Sequence, residues 1–421
     1  MKKVLFISHD ASRTGAPIVL LHFLRWFKAN AGIPFQIILR NGGELEPEFE
    51  ALAPVLVINE AISNKTILFE KVYRFIQPDD VGLIYSNTIT NGKLLEFFSS
   101  LKCPSICHVH ELEQYIYLSG LENFREVRNN TTYYIAVSEA VKTNLVENHG
   151  LSGNGVNVIY EFIPTQPHSF SSQPKRREIH KKLNIPQETL IVGASGTTDW
   201  RKGPDLFIQL ARAVHQQHLE TPVHFIWVGG ESEGPCFAKL RHDVKNAGLD
   251  GYVHFLGNQP KPLEYFAAFD VFALVSREDP FPLVCLEAAS LGKPIVCFDN
   301  AGGEKEFVED DCGFVVPYLD IETMAIKVVK LLESVELRQR FGKRAAQKVR
   351  ERHDVEVIAP QILDIINIYL KESKPDDVHK HSARGSKCKW WLKKFIPPIF
   401  IDIAKSLKIR VRSESVKDNS I

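Results

Sequence analysis

The sequence has no long apolar run, and its cysteines form no recognisable pattern. After Met1–Lys3, the apolar stretch extends only from Val4 to Ile7, which is shorter than the core of a secretion signal. The seven cysteines are an odd number, are widely scattered and include no C-x-x-C pair. Neither a disulfide framework nor a zinc site has the spacing it would need. We therefore expect a cytoplasmic protein without a structural metal.

The chain also lacks a net charge, because 51 Lys and Arg residues balance 51 Asp and Glu residues. The balance is uneven along the chain. The segment from Lys380 to Arg412 has ten basic residues and one acid, whereas residues 1–379 carry a net charge of minus eight. No nucleic-acid-binding motif accompanies the basic segment, so nucleic acid is not an expected partner. An anionic partner of another kind is expected at this tail.

The apolar core of the tail, Phe395–Ile401, is seven residues long, whereas a helix that crosses a bilayer needs ~20. Trp390, Trp391 and Phe400 lie among lysines and arginines, a composition that suits the headgroup region of a membrane. Two interpretations stay open. The tail binds an anionic membrane surface peripherally, or its aromatic side chains pack onto the body of the protein.

Composition and periodicity predict an α/β fold. With 44% hydrophobic and 24% charged residues, the 421-residue chain has the composition of a globular protein of two or three domains. Short apolar runs alternate with segments of helical period, which is typical of parallel sheets covered by helices. The predicted strands are Val4–Ser8, Phe35–Leu39, Gly82–Ser86, Ser105–His110, Tyr133–Val137 and Val156–Tyr160, then Leu190–Ser195, His224–Val228, Val253–Leu256, Val271–Leu274, Ile295–Phe298 and Gly313–Val316.

A change of composition separates two doubly wound halves. Residues 164–178 contain three prolines and three serines, which is typical of a linker. A fresh strand at Leu190 then restarts the alternation. The expected organisation is a Rossmann-like domain at 1–163, the linker at 164–178, a second such domain at 179–352, a helix at 353–371 and the basic aromatic tail at 372–421.

Four loops that follow predicted strands are candidate ligand sites, because ligands bind at the carboxyl ends of parallel strands. Three of them lead into a proline at the place expected for the first helical residue, which needs no hydrogen bond there. A helix start offers N–H groups and a positive dipole to a phosphate. The alternative is that glycine and proline merely mark turns. The loops are Ser8–Ala16, Gly196–Gly203, Ser276–Phe281 and Asn300–Gly303, and the prolines are Pro17, Pro204 and Pro282.

Two of these loops carry charged pairs. Arg201 and Lys202 stand beside a helix start, where a planar fork and a point charge would complement a diphosphate; a solvated surface pair is the alternative. Asp279 and Glu287 are eight residues apart. If a helix begins near Pro282, both acids can face one cleft, although acids at a helix start also compensate the dipole.

From Gly193 to Pro317 the chain resembles the donor domain of the group-1 glycosyltransferases, family 4, which have the GT-B fold of two facing Rossmann-like domains. The resemblance extends more loosely over residues 1–371. The matching segments are Arg201-Lys202-Gly203, Trp227–Gly230, Val253–Gly257, Asp270–Phe272, the pair Asp279 and Glu287, Gly292–Pro294 and Ala301–Gly303.

The resemblance implies a role for each matching residue. In the family the two acids form a Glu-x7-Glu motif, so Glu287 is expected to bind the nucleotide ribose and Asp279 to approach the transferred sugar. Arg201 and Lys202 are expected to hold the diphosphate. Phe255 and Gly257 are expected to contact the nucleotide base, and Gly302 and Gly303 the sugar and phosphate of the donor. In the first domain, Gly15 resembles the family's phosphate-facing glycine and His110 its active-site histidine.

Four departures from the family pattern are visible. Asp279 is shorter than the usual glutamate, and prolines flank Phe281 where glycines are common. Thr197 stands where many members have an arginine. Tyr160–Pro164 replaces the common Asn-Gly-Val-Asp segment that leads into the linker. These departures make the identity of the donor harder to predict.

The implied function is a retaining, hexosyl-type glycosyltransferase that uses a nucleotide-diphosphate sugar and a glycan or lipid-linked acceptor in cell-surface polysaccharide synthesis. No D-x-D triplet occurs, and the resemblance calls for neither a metal nor another cofactor. The expected location is cytoplasmic, with peripheral attachment to the inner face of the membrane through the tail. A GT-B-shaped epimerase or phosphorylase, and a non-catalytic carbohydrate-binding protein, are the alternatives.

Overall fold

A computed structural model describes residues 2–59, 65–165 and 172–372, which contain two parallel sheets. The first sheet comprises β1 (Lys3–Ser8), β2 (Phe35–Leu39), β3 (Val55–Val57), β4 (Val81–Ser86), β5 (Ser105–Val109), β6 (Tyr133–Ala136) and β7 (Val156–Val158). Its order is β3-β2-β1-β4-β5-β6-β7. The order reverses between β1 and β4, and ligands bind at the carboxyl edge of such a switch point.

The second sheet comprises β8 (Leu190–Ser195), β9 (Val223–Val228), β10 (Val253–Phe255), β11 (Val271–Leu274), β12 (Ile295–Phe298) and β13 (Gly313–Val316). Its order is β10-β9-β8-β11-β12-β13, with the reversal between β8 and β11. All its neighbouring strands run parallel. The prediction of an α/β fold with doubly wound parallel sheets is confirmed.

Helices cover the described sheets. In the first half they are α1 (Gly15–Asn30), α2 (Glu46–Glu50), α3 (Lys65–Ile76), α4 (Gly92–Phe98), α5 (Glu113–Ser119), α6 (Leu121–Asn130) and α7 (Glu139–Thr143). In the second half they are α8 (Ser172–Leu183), α9 (Pro204–His215), α10 (Pro235–Asn246), α11 (Pro262–Phe266), α12 (Leu283–Ser290), α13 (Glu304–Val308), α14 (Ile321–Glu333), α15 (Val335–Arg352) and α16 (Val355–Glu372). None of these described helices is both long and apolar enough to cross a membrane.

The core of the first half centres on Phe6 in β1. Its ring centroid lies 5.5 Å from that of Phe27 and 5.2 Å from that of Tyr85. The four-residue spacing of Val19, Phe23 and Phe27 puts these side chains on the face of α1 that covers the sheet, and all are buried. Truncating one such phenylalanine to alanine costs about 3–5 kcal/mol, so this packing holds the carboxyl edge of β1 in place.

The last helix of the described chain, α16, belongs to the core of the first sheet. Ile358, Ile362 and Ile366 recur at helical spacing and are buried, and the helix packs on α1 and β4. At its start, the indole Nε1 of Trp26 donates a hydrogen bond to Glu356 Oε2, at 2.8 Å. The chain therefore returns from the second sheet to complete the first.

The structure adds two elements that the sequence patterns do not indicate. The sequence patterns missed β3, because three residues are too few for a periodic signal. The segment 164–178, which composition predicts to be a linker, is helical from Ser172, where α8 begins. Pro174 lies in its first turn, a position that needs no internal N–H donor. Residues 166–171 and the basic aromatic tail, including Lys387–Arg412 and Cys388, lie outside the described residues.

Candidate active site

The loop Gly196–Gly203 is fixed between β8 and α9. The indole Nε1 of Trp227 donates to the Gly196 carbonyl at 3.0 Å. Gly203 has φ +73°, and a Cβ there would lie 2.3 Å from the carbonyl oxygen of Val275, so only glycine fits. Pro204 is the first residue of α9, as predicted. The other two prolines are displaced from that position, since Pro17 is third in α1 and Pro282 precedes α12 as its N-cap.

Lys202 and Asp279 form a nearly buried ion pair. Lys202 Nζ donates to Asp279 Oδ2 at 2.5 Å, and Ser276 Oγ donates to the same oxygen at 3.1 Å. Arg201 Nη1 lies 3.8 Å from Asp279 Oδ1 and donates to the carbonyl of Glu278 at 3.0 Å. Two cations and one carboxylate thus meet at the amino end of α9. A diphosphate placed here would compete with Asp279 for Lys202.

Gly302 and Gly303 form a turn against the backbone of Asp279. Asp279 N donates to the carbonyl of Ala301 at 2.7 Å, and Gly303 N donates to the carbonyl of Asp279 at 3.2 Å. Gly302 has φ +149°, and a Cβ there would lie 1.7 Å from the Asp279 carbonyl oxygen. The two loops that carry the predicted Asp279, Gly302 and Gly303 are therefore one structural unit.

Glu287 lies at the fifth position of α12 and is half-buried. Its side chain makes no hydrogen bond or ion pair within the part of the chain that the structure describes. Burial raises the pKa of this carboxyl to about 7, because the charged form is poorly solvated. The structure does not bring Glu287 into contact with Asp279. An acid without an internal partner is available to accept hydrogen bonds from a ligand.

Phe255 and Gly257, the predicted base-binding pair, lie at the carboxyl end of β10. Gly229 N donates to the carbonyl of Gly257 at 2.9 Å, which ties this segment to the end of β9. The Phe255 ring is half-buried, 6.0 Å from that of Trp227. These residues border the Gly196 loop through Trp227 but do not contact the Lys202–Asp279 pair.

His110, at the end of β5, has both ring nitrogens engaged. Nδ1 lies 2.7 Å from Glu161 Oε1, and Nε2 lies 3.1 Å from Asn87 Oδ1. Burial lowers the pKa of His110, but the charges of Glu161 and Glu111 and the hydrogen bond to Glu161 outweigh it, so that the net shift is upward. His110 is therefore disposed to carry a positive charge.

Gly15, the predicted phosphate-facing glycine, is the exposed first residue of α1. A Cβ there would meet nothing within 4 Å, so open space lies beside the helix start. The side chain of the N-cap residue Thr14 accepts no hydrogen bond from the start of this 16-residue helix. The first N–H groups of α1 are therefore not capped by Thr14. Asn87 Nδ2 donates to the carbonyl of Ala16 at 2.7 Å and thereby connects this helix start to His110.

Contacts between the two halves bring these edges together. The Arg201 guanidinium lies 5.3 Å from the centre of the Tyr115 ring, and the N–H of Gln114 lies 3.2 Å from both carboxylate oxygens of Glu278. Ser138 Oγ donates to the carbonyl of Pro280 at 2.8 Å. The loop that carries Asp279 thus contacts elements that follow β5 and β6 of the first sheet.

Several residues that shape the site were missed by the sequence reasoning. Asn87 directly follows β4, and the rule that ligands bind after parallel strands could have found it. Glu161 lies in the segment noted only as a departure from the family pattern. Nothing local indicates Glu304, which is 1% exposed with neither carboxylate oxygen hydrogen-bonded. Burial and the nearby Asp279 raise its pKa well above the ordinary range, which favours the neutral acid.

Within the described residues, no group of three or more His, Cys, Asp and Glu side chains is placed to hold a metal ion.

Residues 175–348 match the family described as "Glycosyl transferases group 1". That segment includes Arg201, Lys202, Asp279, Glu287 and the Gly302–Gly303 turn. Residues 175–348 are therefore a group-1 glycosyltransferase domain.

Two curated proteins are similar in sequence to this chain over about 245 residues. The N,N'-diacetylbacillosaminyl-diphospho-undecaprenol alpha-1,3-N-acetylgalactosaminyltransferase of Campylobacter jejuni is 28% identical over 245 residues, 56% of this chain and 61% of that enzyme. The capsular polysaccharide biosynthesis glycosyltransferase CapM of Staphylococcus aureus is 22% identical over 248 residues, 58% of this chain and 63% of CapM. The chain thus spans about three fifths of these two curated relatives.

Among solved structures, Anabaena Alr3699/HepE in complex with UDP-glucose superposes with a TM-score of 0.74 at 22% identity, over 87% of this chain and all of that one. At this identity the likeness establishes the fold. The predicted GT-B architecture is confirmed.

Proposed function

We propose that this chain is a group-1 glycosyltransferase that transfers a hexose-type sugar, with retention of configuration, from a nucleotide diphosphate to a saccharide acceptor. The observation that carries the proposal is the Lys202–Asp279 pair with Arg201 beside it, at the amino end of α9. Support also comes from the relatives, since the Campylobacter enzyme is named as a transferase and HepE was crystallised with UDP-glucose.

In the proposed reaction, the bond between the sugar and the diphosphate breaks, and the acceptor oxygen forms the new bond to the same carbon. Negative charge develops on the departing diphosphate. Arg201, Lys202 and the N–H groups that start α9 and α1 are positioned to stabilise it, and such preorganised donors supply much of an enzyme's rate enhancement. Retention requires the acceptor to approach the face that the diphosphate leaves, so the acceptor's proton passes to a diphosphate oxygen.

A panel of nucleotide sugars, read first by thermal shift and then by turnover with saccharide acceptors, tests the proposal. A donor at 100 times its dissociation constant stabilises the fold by about 2.7 kcal/mol. Acceptor-dependent release of nucleoside diphosphate would identify a transferase. A changed sugar nucleotide without release would identify an epimerase, and binding without any reaction would identify a carbohydrate-binding protein.

Glu287 should make donor affinity depend on pH. Its pKa near 7 means that the carboxylate is mostly protonated below pH 7 and mostly charged above it, and a charged carboxylate accepts stronger hydrogen bonds from ribose hydroxyls. Donor affinity, measured by titration calorimetry, is therefore expected to rise between pH 6 and pH 8, and Glu287→Gln should bind weakly and without this rise.

Because the folded-state pKa of Glu287 lies above the ordinary 4.5, the ligand-free protein should lose stability as the pH rises from about 4.5 through 7.

The control for this experiment is Glu322→Gln, which removes an exposed carboxylate from the first turn of α14. It should keep the wild-type pH dependence. If Glu287→Gln also keeps both the affinity and its rise with pH, Glu287 does not bind the donor.

For the acceptor, we propose a cavity of about 400 Å³ at the carboxyl edge of the first sheet. Tyr115 lies in its wall and also contacts Arg201, so an occupant would reach the donor. The wall is otherwise a mixture of cationic, polar and apolar side chains, namely Arg40, Thr90, Asn91, Lys93, Leu94, Leu118, Ser119 and Asn123. Tyr117, Leu118 and Leu121 are each at least 65% exposed on α5 and α6. This combination suits an acceptor with an anionic headgroup and an apolar chain, such as a lipid-linked saccharide.

Leu121→Asp tests the apolar part of the acceptor. We expect it to raise the KM for a saccharide carried on a polyprenyl diphosphate at least about tenfold, the effect of losing 1.4 kcal/mol of binding. The KM for a water-soluble analogue of the same saccharide and the affinity for the donor should stay unchanged. Ile326→Asp, at another exposed apolar position, on α14, is the control. Equal KM values for wild type and Leu121→Asp on the lipid-linked acceptor would contradict the proposal.

Cell-surface polysaccharide synthesis is the proposed setting, with CapM as the supporting relative. Peripheral attachment to the inner face of the membrane stays a prediction from the sequence of the tail, which lies outside the described residues.

A further inference from the structure

Glu161 is a buried acid that the sequence reasoning gave no function. It follows β7 in the segment Tyr160–Pro164, and only 5% of its side chain is exposed. Its Oε1 lies 2.7 Å from His110 Nδ1, whereas its Oε2 is buried without a hydrogen bond. A buried acid is costly unless it is paired, so the contact with His110 is the feature that explains its presence.

The neighbouring amide defines where the protons on His110 lie. Asn87 donates through Nδ2 to the carbonyl of Ala16, which can only accept. This orients the amide so that its oxygen, an acceptor, faces His110 Nε2 at 3.1 Å. On the other side, Nδ1 faces a carboxylate oxygen. Because acceptors stand at both nitrogens, both hydrogen bonds form only when the ring donates twice, as an imidazolium.

We propose that Glu161 is a positioning residue that holds His110 as an imidazolium, with a fixed ring orientation, beside the reacting sugar and diphosphate. This inference rests on the proposed transferase function. An imidazolium whose two protons are already donated cannot act as a general base. Its contribution is a fixed positive charge at the end of β5, the strand whose following helix places Tyr115 against Arg201, and this charge would stabilise the negative charge that develops on the leaving group.

The other titratable groups around His110 are compatible with this charge. The His108 ring centroid lies 4.2 Å away, and burial holds the pKa of His108 well below its usual range. Burial also lowers the pKa of His9, on the loop after β1. Both rings are therefore neutral near pH 7 and do not repel a charged His110. Glu111, whose carboxylate accepts from the His110 backbone N–H at 2.9 Å, adds to the attraction.

The backbone of Glu161 is tied to the far end of the chain. Its carbonyl accepts a hydrogen bond from His353 Nδ1 at 2.9 Å. Two residues on, Ile163 N donates to the His353 carbonyl at 3.0 Å, and Val355 N donates to the Ile163 carbonyl at 3.1 Å. Glu161 thus joins His110 to the junction of α15 and α16. A shift of that junction would be passed to the imidazole through a single residue.

The test is Glu161→Gln, which keeps the shape and one acceptor but removes the charge. We expect the pKa of His110, followed by NMR of 15N-labelled protein, to fall by about one unit or more. Since the imidazolium is the active form, turnover is retained below that pKa and lost above it. The alkaline limb of the kcat profile should therefore move to lower pH by the same amount, while the KM for the donor changes little.

Tyr85→Phe is the matched control. It removes a hydroxyl that lies 2.7 Å from His108 Nδ1 in the same buried cluster and leaves both His110 contacts in place. It should leave the His110 pKa and the alkaline limb unmoved. An unchanged His110 pKa in Glu161→Gln would overturn the proposal, and so would a pKa shift without movement of the kcat limb. Because the NMR titration needs no turnover, a wild-type protein without transferase activity would contradict the proposed function separately.

Discussion

Lys202→Ala is expected to lower turnover by about 10²–10³-fold, the loss typical when one preorganised donor to a developing negative charge is removed. In the structure this ammonium lies 2.5 Å from Asp279 Oδ2, at the place where α9 and the Gly302 turn converge. The loss should fall mainly on kcat, because the charge on the leaving group grows in the transition state. Steady-state kinetics with the donor identified by the panel measures it.

The same substitution separates catalysis from folding. Asp279 keeps Ser276 and the more distant Arg201 as partners, so we expect the free energy of unfolding to fall by about 1–3 kcal/mol and the protein to stay folded at 25 °C. Lys305→Ala, which breaks the more exposed pair with Asp299, is the control and should keep turnover. Lys202→Ala combined with Asp279→Asn should lose less than the product of the single losses, because the pair acts as a unit. Full activity of Lys202→Ala would refute the assigned site.

Gly302→Ala should be the most damaging single-methyl change in the site. The new Cβ would lie 1.7 Å from the Asp279 carbonyl oxygen, at a φ of +149°, so the backbone has to move. We expect a loss of at least about 3 kcal/mol in the free energy of unfolding, the upper range for a strained backbone position, together with a large loss of turnover because Asp279 is displaced. Urea denaturation and the transferase assay report the two effects.

Gly248→Ala is the matched control, since Gly248 also has a positive φ, +72°, but a Cβ there would meet nothing within 4 Å. It isolates the conformational cost of placing a side chain at a positive φ, which is about 1–2 kcal/mol. If Gly302→Ala is no more destabilising than Gly248→Ala, the close packing of the Gly302 turn against Asp279 is not essential to the fold.

The sequence predicts the strands well because buried parallel strands are continuous apolar runs, and Leu190–Ser195 and Val271–Leu274 are found with the predicted bounds. The rule that ligands bind after parallel strands also selects the loops of Lys202 and Asp279, which follow the adjacent strands β8 and β11 and meet in the structure. The pairing of Glu161 with His110 could not be predicted in this way. It joins a residue after the edge strand β7 to a residue after β5, two strands inward. No periodic pattern encodes which side chains meet across such loops.

The isolated acid Glu304 and the helix α8 illustrate two other limits. Whether an acid at a helix start is exposed or buried depends on what covers it, which is a property of the packed chain. The prolines and serines of 164–178 indicated a linker, yet Pro174 is compatible with the first turn of α8. Composition alone does not distinguish a linker from the first turn of a helix.

Because α16 packs on the first sheet, that sheet cannot complete its folding when its own strands have been synthesised. The strands of that sheet are complete when Val158 has been made, but Ile358, Ile362 and Ile366 are added only after the whole second sheet. At ~5–20 residues per second, the nascent first sheet waits on the order of ten seconds or more for its last covering helix. Throughout that interval the apolar surface of α1 and β4 is open to chaperones. A chain released early from the ribosome is left with this surface uncovered.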